Sequence, residues 1–242
     1  MLIFAVSACP ASKKVDDIII NEVKQEEKQI EINYANEEFL GVLIRFDYIN
    51  NIGRNVVTYD LIEPERNQYY KDLIKSEMKR YPDGFFVKQN LKTISIVQNL
   101  DVAGKGRLGG TYIYDHNIIF ININYMSDDY FIRALHHEIQ HLVDYRYFDR
   151  YFIEWAQWRE LFEASDKSTH SGFISDYARL NPKEDRAEVF GHYMGLERTK
   201  NNFLQKAKND EIFYQKAILL FTFYKERVDF NLLDDFLLEM NH

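Results

Sequence analysis

The chain of 242 residues has few residues that cross-link or interrupt a fold. Its single cysteine, Cys9, excludes an intramolecular disulfide and a cysteine-based structural zinc site. Only 4 prolines and 10 glycines stand beside 17 tyrosines and 18 phenylalanines, which favours regular elements packed through aromatic rings over long linkers. Clusters of lysine and arginine are missing and the net charge is −8, which argues against nucleic acid as a partner.

The sequence also lacks a run of about 18 uninterrupted apolar residues, so no membrane-spanning helix is predicted. The N-terminus is different, because residues 1–8 are uncharged and mostly apolar and end in Val6-Ser7-Ala8 immediately before Cys9. This pattern resembles a bacterial lipobox, although no basic residue precedes the cysteine. The resemblance implies export and a lipid on Cys9 that anchors the protein at the cell envelope. The alternative is a disordered or strand-forming N-terminus with an ordinary buried cysteine, in which case the protein is expected in the cytoplasm.

The composition changes after the first 38 residues. Residues 10–36 are rich in Lys, Glu, Gln and Asn, which is typical of a poorly ordered leader. We therefore expect a signal remnant and polar leader over residues 1–38, followed by one domain over residues 39–242.

The spacing of apolar residues predicts the elements of that domain. Residues 39–48 and 56–62 fit either strands or short helices. The remaining elements are a helix over 65–81, a strand over 91–97, a hairpin over 111–114 and 118–124, a helix capped by Ser127, and helices over 151–162, 184–196, 211–227 and 232–240. Leu135, Ile139, Leu142 and Val143 give the helix after Ser127 one apolar side.

That helix carries the sequence His137-Glu138-Ile139-Gln140-His141. Because a helix has 3.6 residues per turn, the two histidines lie one turn apart on the same face, where both imidazoles can reach one zinc ion. Glu138 lies about 100 degrees around the helix from His137, which in an HExxH pattern makes it the general base and not a metal ligand. The sequence therefore predicts a zinc-dependent hydrolase.

A catalytic zinc ion usually has three protein ligands, so a third ligand must lie elsewhere in the chain. The pattern in which a third histidine closely follows the motif is absent. The downstream candidates are His170, Glu184, Glu188 and His192. Glu184 and Glu188 are four residues apart and share one helical face, which suits either a cleft or a solvated acidic surface.

The segment from Asp176 to Phe190 resembles the second signature of gluzincins related to the anthrax lethal factor catalytic domain. The residues that match are Tyr177, Asn181, Glu184, Glu188 and Phe190. The resemblance covers roughly residues 94–194 and extends to zinc metallopeptidase lipoproteins of bacteria. It implies that Glu184 is the third zinc ligand, that Tyr177 hydrogen-bonds the oxyanion, and that Glu188 orients a ligand imidazole.

The roles of two residues near the motif and of one strand do not follow from the pattern alone and are stated as expectations. Asp144, three residues after His141, is expected either to accept an N–H from a ligand imidazole or to be an ordinary surface carboxylate. His136 faces away from the metal stripe and is expected to be packed or exposed to solvent. By analogy with other zincins, the strand over 118–124 is expected to be the sheet edge along which an extended peptide pairs.

Together these patterns predict an α+β zincin-like metallopeptidase with a small N-terminal mixed sheet, an HExxH helix and a mainly helical C-terminal part. Its expected cofactor is Zn²⁺ and its expected partner is a peptide or protein substrate. Two alternatives stay open. One is a surface lipoprotein whose inactive zinc-bearing cleft binds peptide or glycan beside an import system, and the other is a regulatory protease inside the cell.

Overall fold

The computed structural model describes residues 36–47, 49, 57–104, 106–124, 127–147, 152–167 and 171–242. Cys9 and the lipobox pattern lie outside these residues, as do His170 and most of the expected leader, so those expectations stay predictions. In the part of the chain that is described, none of the helices is both long and apolar enough to span a membrane.

A sheet and a helix-rich body make up the fold, which confirms the α+β class. The strands are β1 (Glu37–Phe39), β2 (Val42–Arg45), β3 (Val57–Asp60), β4 (Thr93–Val102), β5 (Gly106–Arg107), β6 (Gly110–Ile113) and β7 (Ile118–Asn122). The helices are α1 (Pro64–Met78), α2 (Phe85–Lys88), α3 (Asp128–Tyr147), α4 (Phe152–Asp166), α5 (Pro182–Tyr193), α6 (Glu197–Asn209), α7 (Glu211–Phe223) and α8 (Leu232–Met240). A 3₁₀ helix spans Tyr177–Leu180, and a π-helical segment spans Tyr224–Val228.

The sheet is mixed and has the strand order β1-β2-β4-β7-β6, with β3 and β5 also paired to the long strand β4. Strands β2 and β7 run parallel to β4, whereas β1 and β6 pair antiparallel with their neighbours. The two N-terminal segments that fitted either strands or helices are therefore strands. The predicted hairpin is confirmed, because β6 and β7 pair from Gly110 with Ile121 to Ile113 with Ile118.

The expectation that the strand over 118–124 forms the sheet edge is wrong. Strand β7 lies between β4 and β6, and all five of its residues are buried. A continuous apolar run such as Ile118-Ile119-Phe120-Ile121 is typical of a central strand that is covered on both faces. Among the described strands, β6 is the edge next to β7.

Helix α3 is held in place by its cap and by its apolar side. The hydroxyl of Ser127 accepts a hydrogen bond from the backbone N–H of Tyr130, as predicted for the N-cap. Leu135, Ile139 and Val143 are fully buried in the main hydrophobic core. The opposite polar residues of α3 are therefore directed towards α5 and β6.

Helices α3 and α5 pack closely because Gly191 has no side chain. A Cβ atom at this position would lie 2.8 Å from the carbonyl oxygen of Arg133 and 3.4 Å from the Cβ of His137. The first of these distances is shorter than real Cβ contacts, so a larger residue would push the helices apart. The close approach brings the first turn of α5 to the histidines of α3.

The body also contains a helix that the sequence did not predict. Helix α6 (Glu197–Asn209) is mostly lysine, asparagine and other polar residues, and its buried side is limited to Thr199, Phe203 and Ala207. These three residues recur at intervals of four, so one narrow stripe is enough to attach the helix to an aromatic core that includes Tyr193, Phe213 and Phe236.

Candidate metal centre

The two histidines of the helix motif lie side by side on α3. Their ring centroids are 4.8 Å apart, and the Nε2 atom of His141 lies 3.1 Å from the Nε2 atom of His137. This follows from their four-residue spacing, which stacks them on consecutive turns of one face. Both reactive nitrogens are directed to the same point.

Glu184 reaches this point from the first turn of α5. That turn is fixed by Asn181, whose side-chain oxygen accepts hydrogen bonds from the backbone N–H groups of Lys183 and Glu184, and by Pro182 at the helix start. The Glu184 Oε2 atom lies 3.1 Å from His137 Nε2 and 3.2 Å from His141 Nε2. The structure thus brings together the three residues predicted as zinc ligands.

The chemistry of this donor set fits zinc. Two imidazole nitrogens and a carboxylate oxygen form a nearly equilateral triangle with edges of 3.1, 3.1 and 3.2 Å. In a tetrahedral site with bonds of about 2.0–2.2 Å, neighbouring ligand atoms are about 3.3–3.5 Å apart, so an ion fits with little adjustment. Three acceptor atoms at such distances repel each other unless a proton or a cation lies between them.

Glu188 fixes the orientation of the His137 ring. Its Oε1 atom lies 3.0 Å from His137 Nδ1, so Nδ1 carries the proton and Nε2 keeps its lone pair for a metal. Burial lowers the pKa of His137, but its contacts with Glu184 and Glu188 outweigh burial and raise it to about 10, because these carboxylates favour a positive charge at Nε2, which either a proton or a metal ion can supply. Burial raises the pKa of Glu184, whereas hydrogen bonds with His137 and His141 hold it well below its usual range.

Ser175 holds Glu188 from the other side. The Ser175 hydroxyl donates to Glu188 Oε2 at 2.6 Å and accepts from the backbone N–H of Ala178 at 3.1 Å. The same residue therefore links the carboxylate beside His137 to the 3₁₀ helix that starts at Tyr177. A serine in a loop gave no sequence signal for this role, apart from its place two residues before Tyr177.

Tyr177 lies on the wall of the cleft. Its ring centroid is 5.8 Å from that of His137, and 46% of the residue is exposed. Burial raises the pKa of its hydroxyl, and the negative charges of Glu184 and Glu138 raise it further. The phenol therefore stays protonated at neutral pH and can donate a hydrogen bond.

Glu138 is buried against the edge strand and also lines the cleft. Its side chain lies against Gly110 of β6, where a Cβ atom would be 2.9 Å from Glu138 Cγ and 3.0 Å from both Glu138 Oε1 and the Phe120 carbonyl oxygen. Because the Phe120 oxygen belongs to the sheet backbone, it cannot move aside easily. Gly110 is thus required for the position of Glu138, and its sequence context did not reveal this.

Asp144, which was expected either to accept an N–H from a ligand imidazole or to be a surface carboxylate, is held by Arg186 and Gln140. The Asp144 carboxylate accepts from Arg186 Nε at 3.1 and 3.0 Å, from Arg186 Nη2 at 2.9 Å, and from the Gln140 amide at 2.8 Å. It is not an ordinary surface carboxylate, because only 4% of it is exposed. The buried Arg186 guanidinium is the stronger partner, since it offers a parallel pair of charged N–H groups.

Two further histidines are engaged elsewhere. His192 donates from Nδ1 to the Glu188 carbonyl oxygen at 2.8 Å, while its Nε2 lies 2.8 Å from Nη1 of Arg133. Both of its nitrogens are therefore occupied, which removes it from the ligand candidates. His136 is completely buried, and burial lowers its pKa. Its Nε2 lies 2.9 Å from Glu77 and its Nδ1 lies 2.6 Å from the Tyr81 hydroxyl, so it is packed, as expected.

The three candidate ligands open into a cleft of about 830 Å³. Its walls come from α3, from β6 and from the segment between the 3₁₀ helix and the start of α5. The lining includes Leu108, Gly110, Thr111, Tyr112, Tyr114, His137, Glu138, His141, Asp144, Tyr145, Tyr177, Leu180, Lys183 and Glu184. The volume is of the size that binds a small ligand or a few residues of a peptide.

The match to a protein family agrees with a zinc site. Residues 84–233 match the model of a family described as "Putative zinc-binding metallo-peptidase", a span that contains all three candidate ligands. A crystal structure of a "putative zinc-binding metallo-peptidase from Bacteroides caccae ATCC 43185" is similar, with 17% identity, a TM-score of 0.49, and coverage of 97% of this chain and 92% of that one. No curated protein matches the chain. Because the family model spans well over half of the sequence, the chain belongs to the family described in these words.

Proposed function

We propose that the protein is a gluzincin-type zinc peptidase in which His137, His141 and Glu184 hold the metal and Glu138 is the general base. The observation that carries the proposal is the triangle of ligand atoms with edges of 3.1 to 3.2 Å, backed by Glu188 on His137. A carboxylate that fixes the tautomer of a histidine ligand is the usual surrounding of zinc in enzymes. The family membership supports the same conclusion.

Zinc bound at this site would acidify a water molecule and polarise the carbonyl group of a peptide bond. Glu138 is buried beside the ligands, so its carboxylate can accept a proton from the attacking water. The water oxygen forms a bond to the carbonyl carbon, the C–N bond breaks, and Glu138 returns the proton to the leaving amine. Tyr177, which stays protonated, can donate a hydrogen bond to the oxyanion that forms in between.

The edge strand gives the substrate a place to lie. Strand β6 pairs with β7 on one side, and its residues Gly110, Thr111 and Tyr112 line the cleft. An extended peptide can add to such an edge through backbone hydrogen bonds, which bind any sequence. We propose that β6, in place of the expected strand over 118–124, carries the substrate past Glu138.

The mechanism is tested with the substitution Glu138→Gln in the zinc-loaded full chain. General acid–base catalysis is worth about 10²- to 10⁴-fold, so we expect cleavage of a mixed peptide library to fall by at least about a hundredfold. Zinc content should stay at that of the wild type, because Glu138 is not a ligand. Mass spectrometry of the products and elemental analysis measure the two quantities.

Glu160→Gln is the matched control, since Glu160 is an exposed carboxylate on α4. This variant should cleave like the wild type. Undiminished cleavage by Glu138→Gln would overturn the proposed mechanism. Peptide binding without cleavage by the zinc-loaded wild type would instead favour an inactive zinc-bearing cleft.

A further inference from the structure

Strand β6 presents one face to helix α3, and that face changes from glycine to tyrosine along the strand. Gly110, Tyr112 and Tyr114 stand at alternate positions and line the cleft, as the buried Thr111 also does, whereas Ile113 is buried outside the lining. Gly110 lies against Glu138, so the strand has no side chain beside the proposed general base. The two tyrosines follow at intervals of two residues, and they extend the same face away from the base.

Helix α3 adds a third tyrosine to this end of the cleft. Tyr145 follows His141 by four residues, so its side chain lies one turn further along the same helix face. Its ring centroid is 5.1 Å from that of Tyr114 and 6.2 Å from that of Tyr112. The Tyr112 hydroxyl donates to the side-chain oxygen of Asn117 at 2.9 Å, which fixes this ring at the base of the cluster.

The cluster is exposed although it consists of large rings. Tyr114 is 45% and Tyr145 is 56% exposed, and across the cleft Leu180 is 63% exposed. An exposed group of large side chains that surrounds a cleft is typical of a binding surface, whereas single exposed rings are common and need no explanation. Asp144, the lining carboxylate next to Tyr145 in the sequence, is already paired with Arg186, so it is not offered to a charged ligand.

We propose that Tyr112, Tyr114 and Tyr145 form a subsite that binds an aromatic side chain of the peptide substrate. The inference rests on the proposed function and adds a substrate preference to it. Aromatic rings favour offset and edge-to-face contacts, and the two exposed tyrosines can provide such contacts to a ring that enters between them and Leu180. The tyrosines thus select the side chain, at a distance from Gly110, where Glu138 packs against the strand.

The distance between the subsite and the metal ligands determines which residue of the substrate contacts the subsite. Tyr145 is four residues beyond His141, which is about 6 Å along a helix axis. An extended peptide advances about 3.3 Å per residue, so the subsite reads the side chain about two residues from the scissile bond. The preference should appear on one side of that bond only.

The test uses the zinc-loaded full chain and a series of alanine-based peptides that carry one phenylalanine at successive positions. We expect one position, about two residues from the cleaved bond, at which phenylalanine raises kcat/KM about tenfold over alanine. Tyr114→Ala and Tyr145→Ala should remove this preference, and Tyr114→Phe and Tyr145→Phe should keep it because the rings remain. Leu238→Ala, at an exposed position of α8, is the control and should keep it as well.

Cleavage without a preference for phenylalanine, or with a preference that both alanine variants retain, would overturn the subsite and leave the proposed function intact. If the wild type cleaves none of the peptides, the proposed function fails. The affinity of the same peptides for the zinc-loaded wild type then tests whether the subsite exists. Calorimetry should then give about tenfold tighter binding of one phenylalanine peptide, which Tyr145→Ala removes. Equal affinities for all peptides would overturn the subsite.

Discussion

The two sides of helix α3 differ in how the polar atoms of their histidines and carboxylates are paired. On the side of the core, His136 donates to Glu77 and accepts from the Tyr81 hydroxyl, so each polar atom has a complementary partner. On the side of the cleft, His137, His141 and Glu184 direct three acceptor atoms at one point. The first arrangement is complete by itself, whereas the second is completed by a cation.

Gln140 and Asp144, which are also on α3, belong to the same satisfied kind of arrangement as His136. The Gln140 amide donates to Asp144 while its oxygen accepts from the Tyr224 hydroxyl, and Asp144 also holds Arg186. These groups are buried and satisfied, so they stabilise the packing of α3 against its neighbours. The balance of donors and acceptors, and not the residue type, therefore separates a structural histidine from a candidate ligand.

The largest effect is expected for Glu184→Ala, which removes one of the three atoms of the triangle. Loss of a contact outside the ligand shell alone costs about 10- to 100-fold in metal affinity, so loss of a ligand should cost more than about a hundredfold. Zinc titration against a competing chelator measures the affinity, and cleavage of a peptide library should fall with it. Unchanged zinc affinity would remove Glu184 from the site.

A somewhat smaller effect is expected for Gly110→Ala, which leaves the ligands in place but displaces Glu138. The new Cβ atom would lie 2.9 Å from Glu138 Cγ, so the side chain must shift. A misplacement of about 1 Å can cost about a hundredfold in rate, and we expect kcat to fall by up to that factor. Zinc content should not change. Ile113→Val, on the opposite face of β6, is the matched control, and equal kcat values for the two variants would contradict the role of Gly110.

Glu188→Gln weakens the support of His137 without removing a ligand. We expect zinc affinity to fall about 10- to 100-fold, because the amide orients the imidazole less firmly than a carboxylate does. The same chelator competition applies. Glu197→Gln, an exposed carboxylate at the start of α6, should leave the affinity at the wild-type value. A Glu188→Gln variant that binds zinc as tightly as this control would show that the contact to His137 Nδ1 has no such role.

The smallest effect on zinc content is expected for His136→Leu, which should bind zinc like the wild type. The variant of the neighbouring residue, His137→Leu, should lose zinc and serves as the comparison. The leucine at position 136 leaves the buried Tyr81 hydroxyl and Glu77 without their histidine partner, which should lower the free energy of unfolding by about 1 to 3 kcal/mol. Chemical denaturation and elemental analysis of both variants measure the two effects. Loss of zinc from His136→Leu in a folded protein would break the distinction between the two sides of α3.

The sequence predicted the candidate metal ligands better than the residues that hold them in position. His137 and His141 followed from helical spacing, whereas Glu184 and Glu188 followed from a family resemblance, and the structure brings all four together. Asp144 could not be assigned, because its partner Arg186 lies 42 residues away and only the packing of α3 against α5 brings them together. The roles of Gly110 and Ser175 depend on contacts across the fold in the same way.

The fold shows the same limit. Helix α3 and the β6–β7 hairpin have strong periodic patterns and were predicted, whereas α6 was missed because three buried residues in thirteen give a weak pattern. The edge of the sheet was assigned to the wrong strand, since strand order depends on pairing with distant β4. Local patterns thus predict elements, and contacts between distant residues decide their order and their partners.

We propose that one zinc ion lies between His137, His141 and Glu184. Anomalous diffraction at the zinc edge from crystals of the zinc-loaded protein locates this ion. We expect one strong peak about 2.0–2.2 Å from His137 Nε2, His141 Nε2 and a carboxylate oxygen of Glu184. A zinc peak held by other residues, or no peak at this point in the zinc-loaded protein, would contradict it.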